Sequence, residues 1–100
     1  MRLHTINFPE EFIAEFCRKH GVKRLSLFGS ILRDDFQPDS DVDVLVEFEQ
    51  GRTPGMIGFG QMILELREII GHDVDLRTPE DLSRYFRKEV LQGARLLHAA

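Results

Sequence analysis

Basic charge is the first shortage. The 100-residue chain sets 13 Lys and Arg against 17 Asp and Glu, a formal charge of −4. Its overall field therefore repels polyanions, which argues against a non-specific nucleic-acid coat and against direct nucleic-acid binding. Small phosphate ligands stay open, because they answer to local donors and metal. Cysteine is nearly absent: Cys17 stands alone, which excludes a disulfide framework and leaves a buried thiol on the inner face of a helix. No run approaches the length of an apolar membrane span and no charged-then-apolar leader opens the chain. The expectation is a soluble, cytoplasmic protein with no membrane attachment. Repeats, low-complexity blocks and linkers are also missing. What is present suffices for one core: 42% hydrophobic residues, eight of them Phe, predict a single domain over residues 1–100.

Element signals alternate along the chain. Asn7 followed by Glu10 resembles a capping box, and Phe12, Ile13, Phe16 and Cys17 recur at helical spacing before Gly21, predicting a helix over residues 8–20. The stretch VKRLSLFG alternates around Leu25 and Leu27 and ends at Gly29 as a strand; SILRDD then makes one or two helical turns, and FQPDS is a loop fixed by Pro38. In DVDVLVEF the alternation puts Val42, Val44, Val46 and Phe48 on one face and Asp41, Asp43, Leu45 and Glu47 on the other. Met56, Phe59, Met62, Ile63, Leu66, Ile69 and Ile70 mark an amphipathic helix closed by Gly71, with Gly55, Gly58 and Gly60 weakening its first turns. DVDLRT repeats the strand pattern, with Val74 and Leu76 opposite Asp73, Asp75 and Arg77. Thr78 and Pro79 open a last helix, with Asp81 placed for its dipole. After Gly93 the stretch ARLLHA suits a strand and a fraying helix equally.

The acidic residues carry the chemistry. Asp41 and Asp43 project from one strand face with Cα atoms roughly 6.6 Å apart, so their carboxylates can converge on a hard divalent cation such as Mg²⁺, with substrate phosphates completing the shell. Upstream, a strand that ends at Gly29 and turns into a helix at Ser30 offers backbone N–H groups to phosphate, the Ser30 hydroxyl adds a donor, and Arg33 can reach back as a fork. Asp75 supplies a third carboxylate. If the two Val/Asp strands are neighbours, the three carboxylates can surround two metal ions in a phosphoryl displacement.

With these residues in hand, GSILRDDFQPDSDVDVLV followed at a distance by VDL resembles the nucleotidyltransferase fold shared with DNA polymerase beta. More narrowly it resembles the minimal nucleotidyltransferases, which are often the antitoxin partners of HEPN-domain toxins. The resemblance covers roughly residues 22–92. It implies an α/β fold with a mixed, mainly antiparallel sheet flanked by helices. It also implies ATP as substrate with two Mg²⁺ ions, Gly29, Ser30 and Arg33 at the triphosphate, Asp41 and Asp43 on both metals, and Asp75 as third ligand and candidate base. Ser40 goes with the nucleotide-binding set, more as a turn residue supporting the Asp pair than as a direct ligand.

Each signal has a plainer competitor. Gly29-Ser30 alone is an ordinary turn, and Asp41 alone a cap, but Asp43 inside a strand has no such excuse. Asp73, Asp75 and Arg77 could form a solvated face. His4, His20, His72 and His98 share no metal-ligand spacing and read as surface or packing residues. Glu47 and Glu49 read as solubilising charges, and the Met/Phe stripe over residues 56–70 as core or partner surface. Three functions follow: an enzyme moving a nucleotide monophosphate to a hydroxyl, on a HEPN-type toxin; an antitoxin acting by occlusion alone; or another Asp-x-Asp phosphate chemistry, such as an aspartyl-phosphate phosphatase or a glycosyltransferase. The last needs further motifs and a longer chain. A protein acceptor can meet the site through an apolar surface that includes Phe59, Met62 or Tyr85.

Overall fold

The computed structural model describes residues 1–100. Two short strands, β1 (Arg2–Leu3) and β2 (Ile6–Asn7), pair as a hairpin before α1 (Glu10–His20). Strand β3 (Val22–Phe28) runs into a 3₁₀ turn (Gly29–Leu32), and a loop leads to β4 (Val42–Phe48). Helix α2 (Met56–Ile70) carries the chain across to β5 (Val74–Arg77). A second 3₁₀ turn (Pro79–Asp81), α3 (Arg87–Gly93) and β6 (Arg95–Ala99) complete the order. The sheet order is β5-β4-β3-β6. Strand β3 is antiparallel to β4 and to β6, whereas β4 and β5 are parallel. The parallel pair follows from its connection, since only a crossover as long as α2 returns a strand in the same direction.

The two periodicities explain the layers. Val42, Val44 and Val46, with Leu25, Leu27, Val74 and Leu76, cover one sheet face and are buried beneath Ile13, Phe16 and Cys17 of α1 and Met62, Leu66 and Ile70 of α2. Each large side chain buried there contributes about 1.5–3 kcal/mol. Burial pushes the Cys17 thiol up to about 12, so it stays protonated and unreactive. The opposite face carries the alternate residues, among them Asp43, Glu47 and Asp75. No helix is long and apolar enough to cross a membrane.

Several local expectations give way to tertiary contacts. Asn7 caps nothing: it pairs with Arg2 in the hairpin, and α1 begins after Pro9, which has no side-chain capping bond. Phe12 is 63% exposed, because it sits at the edge of the stripe that Ile13, Phe16 and Cys17 define. SILRDD yields only the turn Gly29–Leu32, and Arg33 is already extended. Thr78 and Pro79 open a three-residue turn and not the last helix; there the Asp81 carboxylate accepts the Thr78 N–H at 3.0 Å. The chain then extends to bury Leu82, and α3 starts afresh at Arg87, whose guanidinium donates to the Pro79 and Leu82 carbonyls at 2.7 and 3.0 Å. Residues 95–99 are strand, since β3 offers them an open edge. Leu45, on the acidic face, is nonetheless buried, sharing a cleft of about 370 Å³ with Ser26, Leu91 and Leu96.

Candidate active site

The site begins where β3 ends. Gly29 has φ 74°, and a Cβ there would collide with the Asp43 carboxylate, its Cγ lying 3.1 Å away. Glycine is thus required twice, for the left-handed backbone and for the close approach. The β3–β4 register explains the proximity, because Phe28 stands opposite Asp43. The Gly29-Ser30 turn therefore lies directly on the second aspartate of the Asp-x-Asp pair.

Across the other edge of β4, Asp43 pairs with Asp75 in parallel register, between Val42 opposite Val74 and Val44 opposite Leu76. Facing residues on neighbouring strands are about 4.8 Å apart. Asp41 lies immediately before β4 and is exposed, whereas Asp43 and Asp75 are half-buried. The Asp43 carboxyl is raised above the usual aspartate range, first by burial and then by repulsion from Asp75, with Asp41 adding to it and Arg77 and Arg33 opposing it. Asp43 and Asp75 thus share one sheet face with Asp41 just before it, and a divalent cation is a counter-charge that the three carboxylates' oxygens suit. They are not already gathered into a closed cage.

Arg77, on the same face as Asp75, engages one of the three carboxylates. Its Nε lies 3.3 Å from both Asp75 oxygens and its Nη2 3.2 Å from Oδ2. The pairing raises the guanidinium's pKa, its hydrogen bond to Asp75 being the main cause. The strand alternation already sets Arg77 beside Asp75 on one face; its closeness to Asp43 needs the β4–β5 pairing.

Arg33 does not reach back to Ser30 with its side chain. Its Nε pairs with Asp35 at 3.3 Å on the exposed loop, and its backbone N–H donates to the Ser30 carbonyl at 2.9 Å. Ser40 contributes backbone: its N–H donates to Gln37 at 3.0 Å and its carbonyl accepts from His72 Nε2 at 2.7 Å. Of the other histidines, His4 Nε2 bonds the Ile31 carbonyl at 3.1 Å and His20 bonds Glu65 at 2.8 Å. Met62 is fully buried and offers no partner surface, and Phe59 packs partly against the core, whereas Tyr85 is 77% exposed.

The nucleotidyltransferase domain model matches residues 9–97. A Methanocaldococcus jannaschii protein provisionally named a protein adenylyltransferase is 35% identical over 90% of this chain and 95% of its own length. The protein adenylyltransferase MntA of Thermococcus cleftensis is 35% identical over 78% of this chain and 77% of its own. Among solved structures, one provisionally described as a minimal nucleotidyltransferase superposes with TM-score 0.70 at 35% identity, covering 85% of each chain. A complex of a tri-AMPylated Shewanella oneidensis HEPN toxin with an MNT antitoxin shares the fold, with TM-score 0.63 at 22% identity over 91% of this chain and 70% of that one. Sheet order, carboxylate register and these likenesses agree: the chain belongs to the nucleotidyltransferase domain family, in its minimal form, and is a nucleotide-transferring enzyme.

Proposed function

We propose that residues 1–100 act as one cytoplasmic nucleotidyltransferase domain that moves AMP from ATP to a hydroxyl, a tyrosine, of a cognate HEPN-type toxin and silences it. The observation that carries this reading is the contact of Gly29 with Asp43 while Asp43 stands opposite Asp75. The Gly29-Ser30 turn and an acidic pair meet at one point on the sheet, which supports a triphosphate held there. The adenylyltransferase names of the relatives and the AMPylated toxin in the distant complex support AMP as the transferred group and a toxin as acceptor.

In this reading Gly29 and Ser30 hold the triphosphate through backbone N–H groups and the Ser30 hydroxyl, and Arg33 exchanges Asp35 for a phosphate oxygen. Ser40 supports the Asp pair through its backbone. Asp41, Asp43 and Asp75 would hold two Mg²⁺ ions, which when bound neutralise the triphosphate and polarise the reacting phosphorus. Asp75 takes the proton of the incoming hydroxyl as its oxygen bonds to the α-phosphorus. The bond from that phosphorus to pyrophosphate breaks, and pyrophosphate leaves. A protein acceptor suits the surface better than nucleic acid, since the chain carries −4 and no basic track. Exposed Tyr85, Phe86, Leu91 and Leu96 offer it apolar contacts.

The test is co-expression with the product of the neighbouring gene. Intact mass of the partner should rise by one or more AMP units with the wild-type chain and by none with the Asp41→Asn/Asp43→Asn double variant. A toxin silenced without modification, and equally well by the double variant, replaces the enzyme reading with occlusion.

A further inference from the structure

The loop from Arg33 to Asp41 joins the two halves of the site, yet almost nothing inside it fixes its position. Arg33 with Asp35, Gln37 with the Asp35 carbonyl, and Ser40 with the Gln37 carbonyl are bonds within the loop. Such bonds shape a loop but cannot locate it against a sheet. Two side chains from distant parts of the chain do locate it. His4, in the turn of the β1–β2 hairpin, meets the Ile31 carbonyl at 3.1 Å across 27 residues. His72, between α2 and β5, meets the Ser40 carbonyl at 2.7 Å across 32 residues. One anchor sits next to Ser30 and the other next to Asp41. Between them Phe36 packs partly against the core, its ring 4.9 Å from that of His4 and 5.8 Å from that of His72.

His4 also has φ 56°, the one non-glycine residue in the chain with a positive φ. A strained conformation persists only where surrounding contacts impose it. Because a carbonyl oxygen only accepts, both rings must present Nε2–H. We propose that His4 and His72 are positioning residues: with Phe36 between them, they clamp the loop at both ends and so hold the Gly29-Ser30 turn and Asp41 in register for one magnesium nucleotide. The inference rests on the nucleotide-binding reading above, and neither histidine need touch the nucleotide.

The test separates donor position from mere bulk. Glutamine places an amide N–H near the Nε2 position of histidine, asparagine near Nδ1, and leucine offers none. In the ligand-free protein, His72→Leu should speed amide hydrogen exchange in peptides spanning residues 33–40 by about fivefold to tenfold, the equivalent of one net hydrogen bond, and leave β3 and β4 unchanged. Affinity for magnesium with a non-hydrolysable ATP analogue should fall by a similar factor. His72→Gln should restore both and His72→Asn neither, with His4→Leu and His4→Gln repeating the pattern at the other anchor. Should His72→Leu fail to fold, the glutamine and asparagine variants decide alone. Exchange unchanged in the loop, exchange raised equally throughout the sheet, or asparagine serving as well as glutamine overturns the clamp. If the wild-type chain binds no magnesium nucleotide, the function proposed above falls, and loop exchange still decides the clamp.

Discussion

Asp43 and Asp75 stand directly opposite each other on parallel neighbouring strands, and Arg77, two residues beyond Asp75, is bonded to it at 3.2 Å. Two carboxylates in such register repel, and the protein without ligand relieves the repulsion chiefly with Arg77, Arg33 adding a smaller share.

Removing the Arg77 cation should make the fold lean on an added one. Arg77→Ala is expected to lower the melting temperature in the absence of divalent ions, and MgCl₂ alone should then raise it by more than it raises that of the wild type. An identical magnesium response in the two proteins would show that Arg77 does not screen the acidic face.

Asp43 itself should cost stability in the free protein. Its pKa is raised, so the folded state binds the proton more tightly than the unfolded chain does. The corresponding stability is fully present below the ordinary value of 3.8 and is lost as pH rises through the raised value. Asp43→Asn should therefore match the wild type in acid and equal or exceed it above that window, while abolishing the thermal shift given by magnesium ATP. Denaturant midpoints across the acid range measure the first part. An Asn variant less stable at every pH would mark Asp43 as structural.

Gly29→Ala should cost more than backbone strain alone. A left-handed alanine costs roughly 1–2 kcal/mol, and at position 29 its Cβ also meets Asp43. Gly51 provides the control, with φ 79° and open space around it. Urea denaturation of the two alanine variants should show the larger loss at position 29. Equal losses would remove the Asp43 contact from the account.

Binding and turnover should part company between the two sides of the site. Ser30→Ala and Arg33→Ala should mainly weaken binding of the triphosphate, by about tenfold for loss of a charge-assisted hydrogen bond. Asp75→Asn should mainly depress the rate, because a base acts most strongly in the transition state. Titration calorimetry with magnesium ATP and single-turnover transfer separate the two effects, and full rate in Asp75→Asn would return that residue to a solvated face.

The alternation of Val42, Val44 and Val46 with Asp41 and Asp43, and of Val74 and Leu76 with Asp75, is a local property, so the sequence by itself determined which side chains share a face. Helical spacing likewise determined that Met62, Leu66 and Ile70 point inward, and glycines at positions 21 and 71 end their helices as expected. Only the tertiary structure decided that Asp43 lies against Gly29 and opposite Asp75, that Arg77 engages Asp75 while also screening Asp43, and that His4 and His72 pin the intervening loop. Strand order, register and side-chain reach across tens of residues set those relations. The same physics overrode the local signal at Asn7, where a weak capping preference yields to strand pairing, and cut short the element that Thr78 caps, where the chain leaves a single 3₁₀ turn to bury Leu82.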